Sequence, residues 1–154
     1  MIESIFKIQE KIRAGVLYNL TTLPLEKLTL IPKGFFNNIL WNAGHIISVQ
    51  QSLVYGLTGN RPTIDQTMQA KFKKGSFPDL ASVQEDLDWV KGYIVKALES
   101  TKEDYSSGLF TGVLKPYTTM LSNEVTTVED CFQMSLFHDS IHFDRIRAFK
   151  RMLD

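Results

Sequence analysis

Cysteine is almost absent from this 154-residue chain, which contains only Cys131. One thiol cannot form an internal disulfide, and it excludes a four-thiolate zinc or iron–sulfur site within one chain. Long apolar runs are missing too, because polar residues interrupt even the richest stretch, 35–57, before it reaches the ~18 residues of a membrane span. The first residues, with charges at Glu3 and Lys7, lack the apolar core of a secretory signal. We therefore expect a cytoplasmic protein with no membrane partner.

An excess of charge of one sign is also absent, because 17 Lys and Arg residues balance 17 Asp and Glu residues. Such a chain has no cationic surplus for a phosphate backbone, so we expect no nucleic-acid partner. The chain does contain 44% hydrophobic and 22% charged residues, a balance typical of folded globular proteins. Its length is that of one domain, and we expect residues 1–154 to form a single domain.

Apolar residues recur every three or four positions in four segments, which is the period of an amphipathic α-helix. In the first segment the residues that share one face are Ile5, Ile8, Ile12, Val16 and Leu20. The fourth segment has the clearest start, because Thr126 and Glu129 form the Thr-x-x-Glu pattern of a capping box. The four predicted helices cover about 2–20, from 36 or 37 to 55, from 79 or 82 to 102, and 126–151.

The connections between these helices are unequal. Residues 56–78 are too many for a tight helix hairpin, and they have room for a short extra helix at 65–72. Residues 103–125 contain glycines and a proline among β-prone residues, so they form either an irregular segment or a short strand pair. We expect an all-α fold: a four-helix bundle with a long crossover between helices two and three and an irregular excursion before helix four.

Histidine occurs only three times, at His45, His138 and His142. The last two are four residues apart, which puts both imidazoles on one face of a helix. His45 lies in the apolar second helix, on a polar stripe with Asn38 and Asn42. If the two stripes face each other, three imidazoles converge and leave coordination positions open for water or substrate. We interpret the three histidines as a divalent-metal site; the alternative is three separate hydrogen-bonded or surface histidines.

Two other kinds of metal site match the pattern less well. Residues 138–142 resemble the H-E-x-x-H helix of metalloproteases, with Asp139 in place of the glutamate, but no third ligand follows downstream. A di-iron carboxylate bundle needs two E-x-x-H pairs, and this chain offers only Asp139 with His142. Cys131 shares a helix face with His138 but lies about 10 Å along the axis, so we expect a packed core thiol.

Several neighbours of the histidines are candidates for roles around an ion. Ligating imidazoles usually donate their second N–H to a carboxylate or carbonyl, which makes Asn42 and Asp139 candidate partners. For Asp139 the alternative is a carboxylate that faces solvent. Arg145 follows on the same strip as the last histidine and is a candidate to hold an anionic substrate; the alternative is a surface or salt-bridged arginine. Ser135 on that strip, and Trp41 beside Asn42, are further candidates for the substrate pocket.

Three short motifs follow one another along the chain. Residues 41–46 read Trp-Asn-Ala-Gly-His-Ile, residues 72–78 read Phe-Lys-Lys-Gly-Ser-Phe-Pro, and residues 127–142 run from Thr-Val-Glu-Asp to the paired histidines. In this order they resemble the histidine motif, the crossover segment and the closing helix of the DinB/YfiT-like family of small bundle proteins. One departure is that residues 144–145 are Asp-Arg, where many members have Gly-Gln.

The resemblance implies a bundle of up-down-down-up order, a homodimer, and a divalent ion, either zinc, nickel or iron, held by the residues matching His45, His138 and His142. Characterised members include transferases and isomerases that use low-molecular-weight thiols. We therefore expect a metal-dependent enzyme that transfers such a thiol to a small-molecule substrate, or a related hydrolase. The alternative hypothesis is a non-enzymatic, stress-related bundle that binds a metal or a small ligand.

Overall fold

The computed structural model describes residues 2–114, 116–119 and 122–153, and this part of the chain is mostly helical, as predicted. A short antiparallel ribbon pairs Tyr117 with Val125. The elements in chain order are α1 (Ile2–Thr22), α2 (Leu25–Thr29), α3 (Ile39–Gln50), a π-helical turn (Gln51–Gly56), α4 (Gln66–Lys71), α5 (Val83–Tyr93), α6 (Lys96–Ser106), β1 (Tyr117–Thr118), β2 (Glu124–Val125) and α7 (Val128–Met152).

The apolar face predicted for the first helix, α1, is partly wrong. Ile8 is 50% exposed, whereas Gln9 and Arg13 are fully buried. The buried face is rotated toward these two polar residues because both find hydrogen-bond partners on other helices. Burial of polar groups is tolerated when their donors and acceptors are paired.

The single helix predicted at 79–102 is wrong, because the structure has α5 and α6 with a turn at Ile94 and Val95 between them. The Leu98 amide donates to Val95 O at 3.0 Å, a spacing of three residues that leaves the Ile94 carbonyl without a helical partner. That carbonyl accepts instead from Arg13 Nη1 at 3.2 Å. The helix therefore breaks where the buried Arg13 from α1 needs an acceptor.

The start of α7 lies one residue later than predicted. Thr127, not Thr126, is the N-cap residue, and its side chain accepts from the Asp130 amide at 3.1 Å. The Asp130 carboxylate in turn accepts from the Thr127 amide at 2.9 Å, which completes the capping box with Asp130 in place of Glu129. Both registers were open in the sequence because two threonines precede two acidic residues.

The second predicted helix is present as α3 and the π-helical turn. Asn38 caps it by accepting from the Trp41 amide at 2.8 Å. The short helix predicted at 65–72 is confirmed as α4, and the Asp65 side chain caps it by accepting from the two following free amides. Helix α2 was not predicted; it begins directly after Pro24, whose fixed backbone suits a helix start.

Helix α7 packs against α1 and against α3, and α3 also packs against α5. The larger apolar cluster lies among these helices and includes Val16, Leu20, Ile39, Ile46, Val90, Ile94, Ile146 and Phe149. The second cluster includes Phe6, Tyr55, Leu98, Phe132 and Cys131, which is a buried free thiol. Each large side chain buried in this way contributes about 1.5–3 kcal/mol to the folded state.

Within the described residues, no helix has both the length and the apolar character needed to cross a membrane.

Candidate metal centre

Helices α3 and α7 bring the three histidines together. His45 from α3 faces His138 and His142 from α7, and one ring nitrogen from each of them lies within 4.8 Å of the others. The ring centroids are 5.0 Å apart for His45 and His138, 4.7 Å for His45 and His142, and 4.4 Å for His138 and His142. This cluster contains every histidine of the chain.

Asn42 fixes the orientation and the tautomer of His142. Its Nδ2 group donates to Asn37 Oδ1 at 3.0 Å and to Asn38 O at 2.7 Å, so its Oδ1 atom is the free acceptor. His142 Nδ1 lies 2.7 Å from that oxygen and must therefore carry the proton. The lone pair of His142 is left on Nε2, which is the state of a metal ligand.

A backbone carbonyl plays the same part for His45. Its Nδ1 donates to Phe72 O at 2.6 Å, and because a carbonyl can only accept, Nε2 keeps the lone pair. Trp41 stacks on the His45 ring at 4.4 Å with an interplanar angle of 18°. The indole N–H of Trp41 donates to Ser76 Oγ at 3.1 Å, which ties this wall of the site to the segment after α4.

Asp139 forms no hydrogen bond to an imidazole among the described residues. Its Oδ2 atom accepts from Arg13 Nε at 3.0 Å and from Gln9 Nε2 at 3.2 Å. Gln9 Nε2 also donates to Ser135 Oγ at 3.1 Å, so the structure places Ser135 in a buried polar network and not on an open pocket wall. Burial raises the pKa of Asp139, and the Arg13 guanidinium opposes that rise. Next to the network, His138 Nδ1 is buried without a partner among the described residues.

Burial keeps the imidazoles uncharged. Loss of solvent, with smaller contributions from the neighbouring imidazoles and cations, lowers the pKa of His138 to about 3 and that of His142 to about 2. The pKa of His45 is also lowered by burial. Neutral imidazole is the form that binds metal ions, so the cluster is ready to ligate at neutral pH without first losing protons.

This burial should make the metal-free protein sensitive to acid. In the unfolded chain each histidine takes up a proton near pH 6.5, whereas the folded cluster stays neutral to much lower pH. The unfolded state therefore binds more protons below that pH, and the free energy of unfolding should fall by up to about 1.4 kcal/mol per pH unit for each histidine. Urea titrations between about pH 7 and pH 5 measure this slope. A His142→Asn variant should show a shallower slope; an equal slope would contradict the assignment.

The remaining predicted residues lie around the cluster. Trp41 is buried against His45. Arg145 is half-buried three residues beyond His142, and its positive charge contributes to the lowered pKa of that imidazole. Cys131 is not part of the cluster, and burial raises the pKa of its thiol to about 11.

Four contributors were not foreseen from the sequence: Phe72, Asn37, Gln9 and Arg13. The contact of Phe72 is made by its backbone carbonyl, which any residue type provides, so no sequence signal exists for it. Gln9 and Arg13 did carry a signal, because they lie four residues apart among the apolar positions of the first helix. Polar residues on a core-facing stripe require buried partners.

The donor set is suited to a divalent transition metal. Three neutral imidazoles are typical ligands of zinc, nickel and iron, and three protein ligands leave coordination positions open. The fold and this cluster therefore define a helical protein with a candidate three-histidine metal site between two of its helices.

The chain belongs to the DinB superfamily, whose sequence model matches residues 10–146. The matched range includes all three histidines and confirms the family resemblance. A comparison with curated proteins finds no match.

Proposed function

We propose that this protein is a metal-dependent enzyme that holds a zinc, nickel or iron ion on His45, His138 and His142. The observation that carries the proposal is the convergence of three neutral imidazoles within 4.8 Å. Two of them are already held with Nδ1 protonated, His142 by Asn42 and His45 by the Phe72 carbonyl. Such outer hydrogen bonds orient metal ligands and raise their affinity.

The proposed reaction is transfer of a low-molecular-weight thiol to a small electrophilic substrate, with hydrolysis as the second choice. A divalent ion, when bound, lowers the pKa of a coordinated thiol or water and so supplies a nucleophile near neutral pH. The protein itself would position the substrate and exclude solvent from it. Trp41 covers one face of His45, and Arg145 offers a positive charge near the cluster for an anionic substrate.

One observation favours a non-enzymatic alternative, in which the bundle binds a metal or a small ligand in a stress response. Asp139, which directly follows His138, is held by Arg13 and Gln9 and cannot move freely to accept a proton from a substrate. Retention of fold and metal in zinc-loaded protein, with no turnover in thiol-conjugation and esterase assays, would favour this alternative over the enzyme.

The metal site itself is tested by elemental analysis of protein purified without a metal-affinity column. We expect near-stoichiometric metal in the wild type and almost none in His138→Ala. Arg147→Ala is the matched control, because Arg147 lies exposed on the same helix with its guanidinium over the Phe143 ring. Wild-type protein that stays free of metal, even after incubation with zinc, nickel and ferrous salts, would contradict the proposal.

We also propose that residues 1–154 form one domain, in which α1, α3, the α5–α6 pair and α7 make an up-down-down-up bundle. The contacts of α7 with α1 and α3, and of α3 with α5, support this arrangement. The family suggests a homodimer, which light scattering on a sizing column would test. A chain whose only cysteine is a free thiol suits the reducing cytoplasm.

A further inference from the structure

A groove of about 480 Å³ lies along the outer side of α7, against the segment that precedes α3. Its apolar walls are Phe35, Phe137, Ile141 and Phe149. Phe35 and Phe149 meet edge to face, with ring centroids 4.7 Å apart. The volume is within the range of small-molecule sites, about 300–1,000 Å³.

The groove lies beside the histidine cluster along α7, although none of the three histidines lines it. Phe137 and Ile141 directly precede His138 and His142 on α7, and Arg145 follows one turn later. Adjacent residues of a helix point about 100° apart, so the groove residues line the flank of the histidine strip. A molecule lying in the groove is therefore one helix face away from the candidate metal ligands.

The segment before α3 also links the groove to the histidine cluster. Phe35 lines the groove, and Asn37, two residues later, accepts from Asn42 Nδ2 at 3.0 Å. Asn42 in turn holds His142. Residues 35–37 therefore provide part of the groove wall and also help to orient His142 through Asn42.

The groove is mostly apolar, and its charged lining residues are one cation, Arg145, and one carboxylate, Asp144. Phe137 is 45% exposed and Ile141 is 42% exposed, although both are large apolar side chains. Arg145 is half-buried, and it forms no ion pair with a carboxylate of the described residues. Asp144, the residue before Arg145, also lines the groove and is exposed to solvent.

We propose that this groove binds a small molecule with an aromatic or branched apolar body and one carboxylate, and that Arg145 pairs with the carboxylate. A single guanidinium matches one carboxylate in charge and in its two-oxygen geometry. A phosphate monoester, with about −1.5 to −2 charges, would leave charge unbalanced beside Asp144. Use of the groove as a substrate subsite rests on the proposed metal-dependent function. Binding of the carboxylate in the groove is independent of that function.

The test compares two probes of the same shape, 3-phenylpropanoate and 3-phenylpropan-1-ol, by NMR titration of the zinc-loaded protein. We expect the carboxylate to bind about fivefold more tightly than the alcohol, as one partly exposed ion pair allows. The preference should disappear in Arg145→Gln and persist in Arg147→Gln, whose side chain lies on another face of α7. Shifted resonances should include those of Phe137 and Ile141.

Three results would overturn this inference: equal binding of the two probes, no binding of either, or a preference that survives in Arg145→Gln. The last would mean that the carboxylate binds the ion itself. A phenylalkyl phosphate that binds more tightly than the carboxylate would overturn the assignment of the anion. The same titration of the full metal-free chain separates the two proposals, because failure to load zinc contradicts the metal site, whereas the groove is still decided by the probes.

Discussion

Replacing Asp139 by alanine should destabilise the protein by about 3–5 kcal/mol. The side chains of Arg13 and Asp139 are both 0% exposed, and the Arg13 Nε–Asp139 Oδ2 contact is 3.0 Å. Without the carboxylate, the guanidinium keeps one hydrogen bond to the Ile94 carbonyl and has a buried charge with no counter-ion. Urea denaturation of Asp139→Ala and wild type, both metal-free at neutral pH, gives the difference in unfolding free energy.

A double replacement distinguishes the loss of the counter-ion from the loss of packing as the cause of the destabilisation. Arg13→Met with Asp139→Leu removes both charges and should recover most of the stability, because apolar residues often replace buried ion pairs at little cost. Asp144→Ala is the control on the exposed side of the same helix and should change stability by less than about 0.5 kcal/mol. If Asp139→Ala costs less than the control, the buried pair is not a charged pair in the folded protein.

Gly44→Ala should weaken both the fold and the metal site. A Cβ atom at position 44 would lie 2.4–2.6 Å from three atoms of the Phe72 ring, closer than folded proteins allow. Phe72 is 3% exposed and its ring stacks on Trp89 at 5.8 Å, so it cannot swing away freely. Overpacking of this kind costs about 1–3 kcal/mol. Because the Phe72 carbonyl holds His45, the displacement should also lower zinc affinity.

Gly92→Ala provides the matched control for this replacement. Gly92 lies in α5, and a Cβ atom there would meet nothing within 4 Å. Gly92 is the second-last residue of α5, and alanine favours a helix over glycine by up to about 1 kcal/mol, so Gly92→Ala should raise stability and leave zinc affinity unchanged. Chelator competition measures the affinity, and the absorption spectrum of the cobalt-substituted protein reports the geometry around the ion. Wild-type affinity and spectrum in Gly44→Ala would show that Phe72 does not position His45.

The sequence predicted the long helices because their evidence is local. The apolar period of 2–20 and 126–151 gave α1 and α7, and the spacing of His138 and His142 placed two imidazoles on one helix face. Two of the errors, in the buried face of α1 and in the unbroken helix at 79–102, arose where a residue of one helix bonds to a distant part of the chain. The break between α5 and α6 accompanies a hydrogen bond from Arg13, a residue some eighty positions away along the chain.

The sequence by itself determined the residue types of the candidate site, the helices that carry them and the membership in the DinB superfamily. Only the tertiary structure decided which helix faces meet, and therefore which groups hold the histidines. The Phe72 carbonyl, in the crossover segment, accepts a hydrogen bond from His45, and Asp139 accepts from Arg13 instead of from an imidazole. Such contacts depend on the packing of segments far apart in the chain, and no pattern of neighbouring residues encodes them.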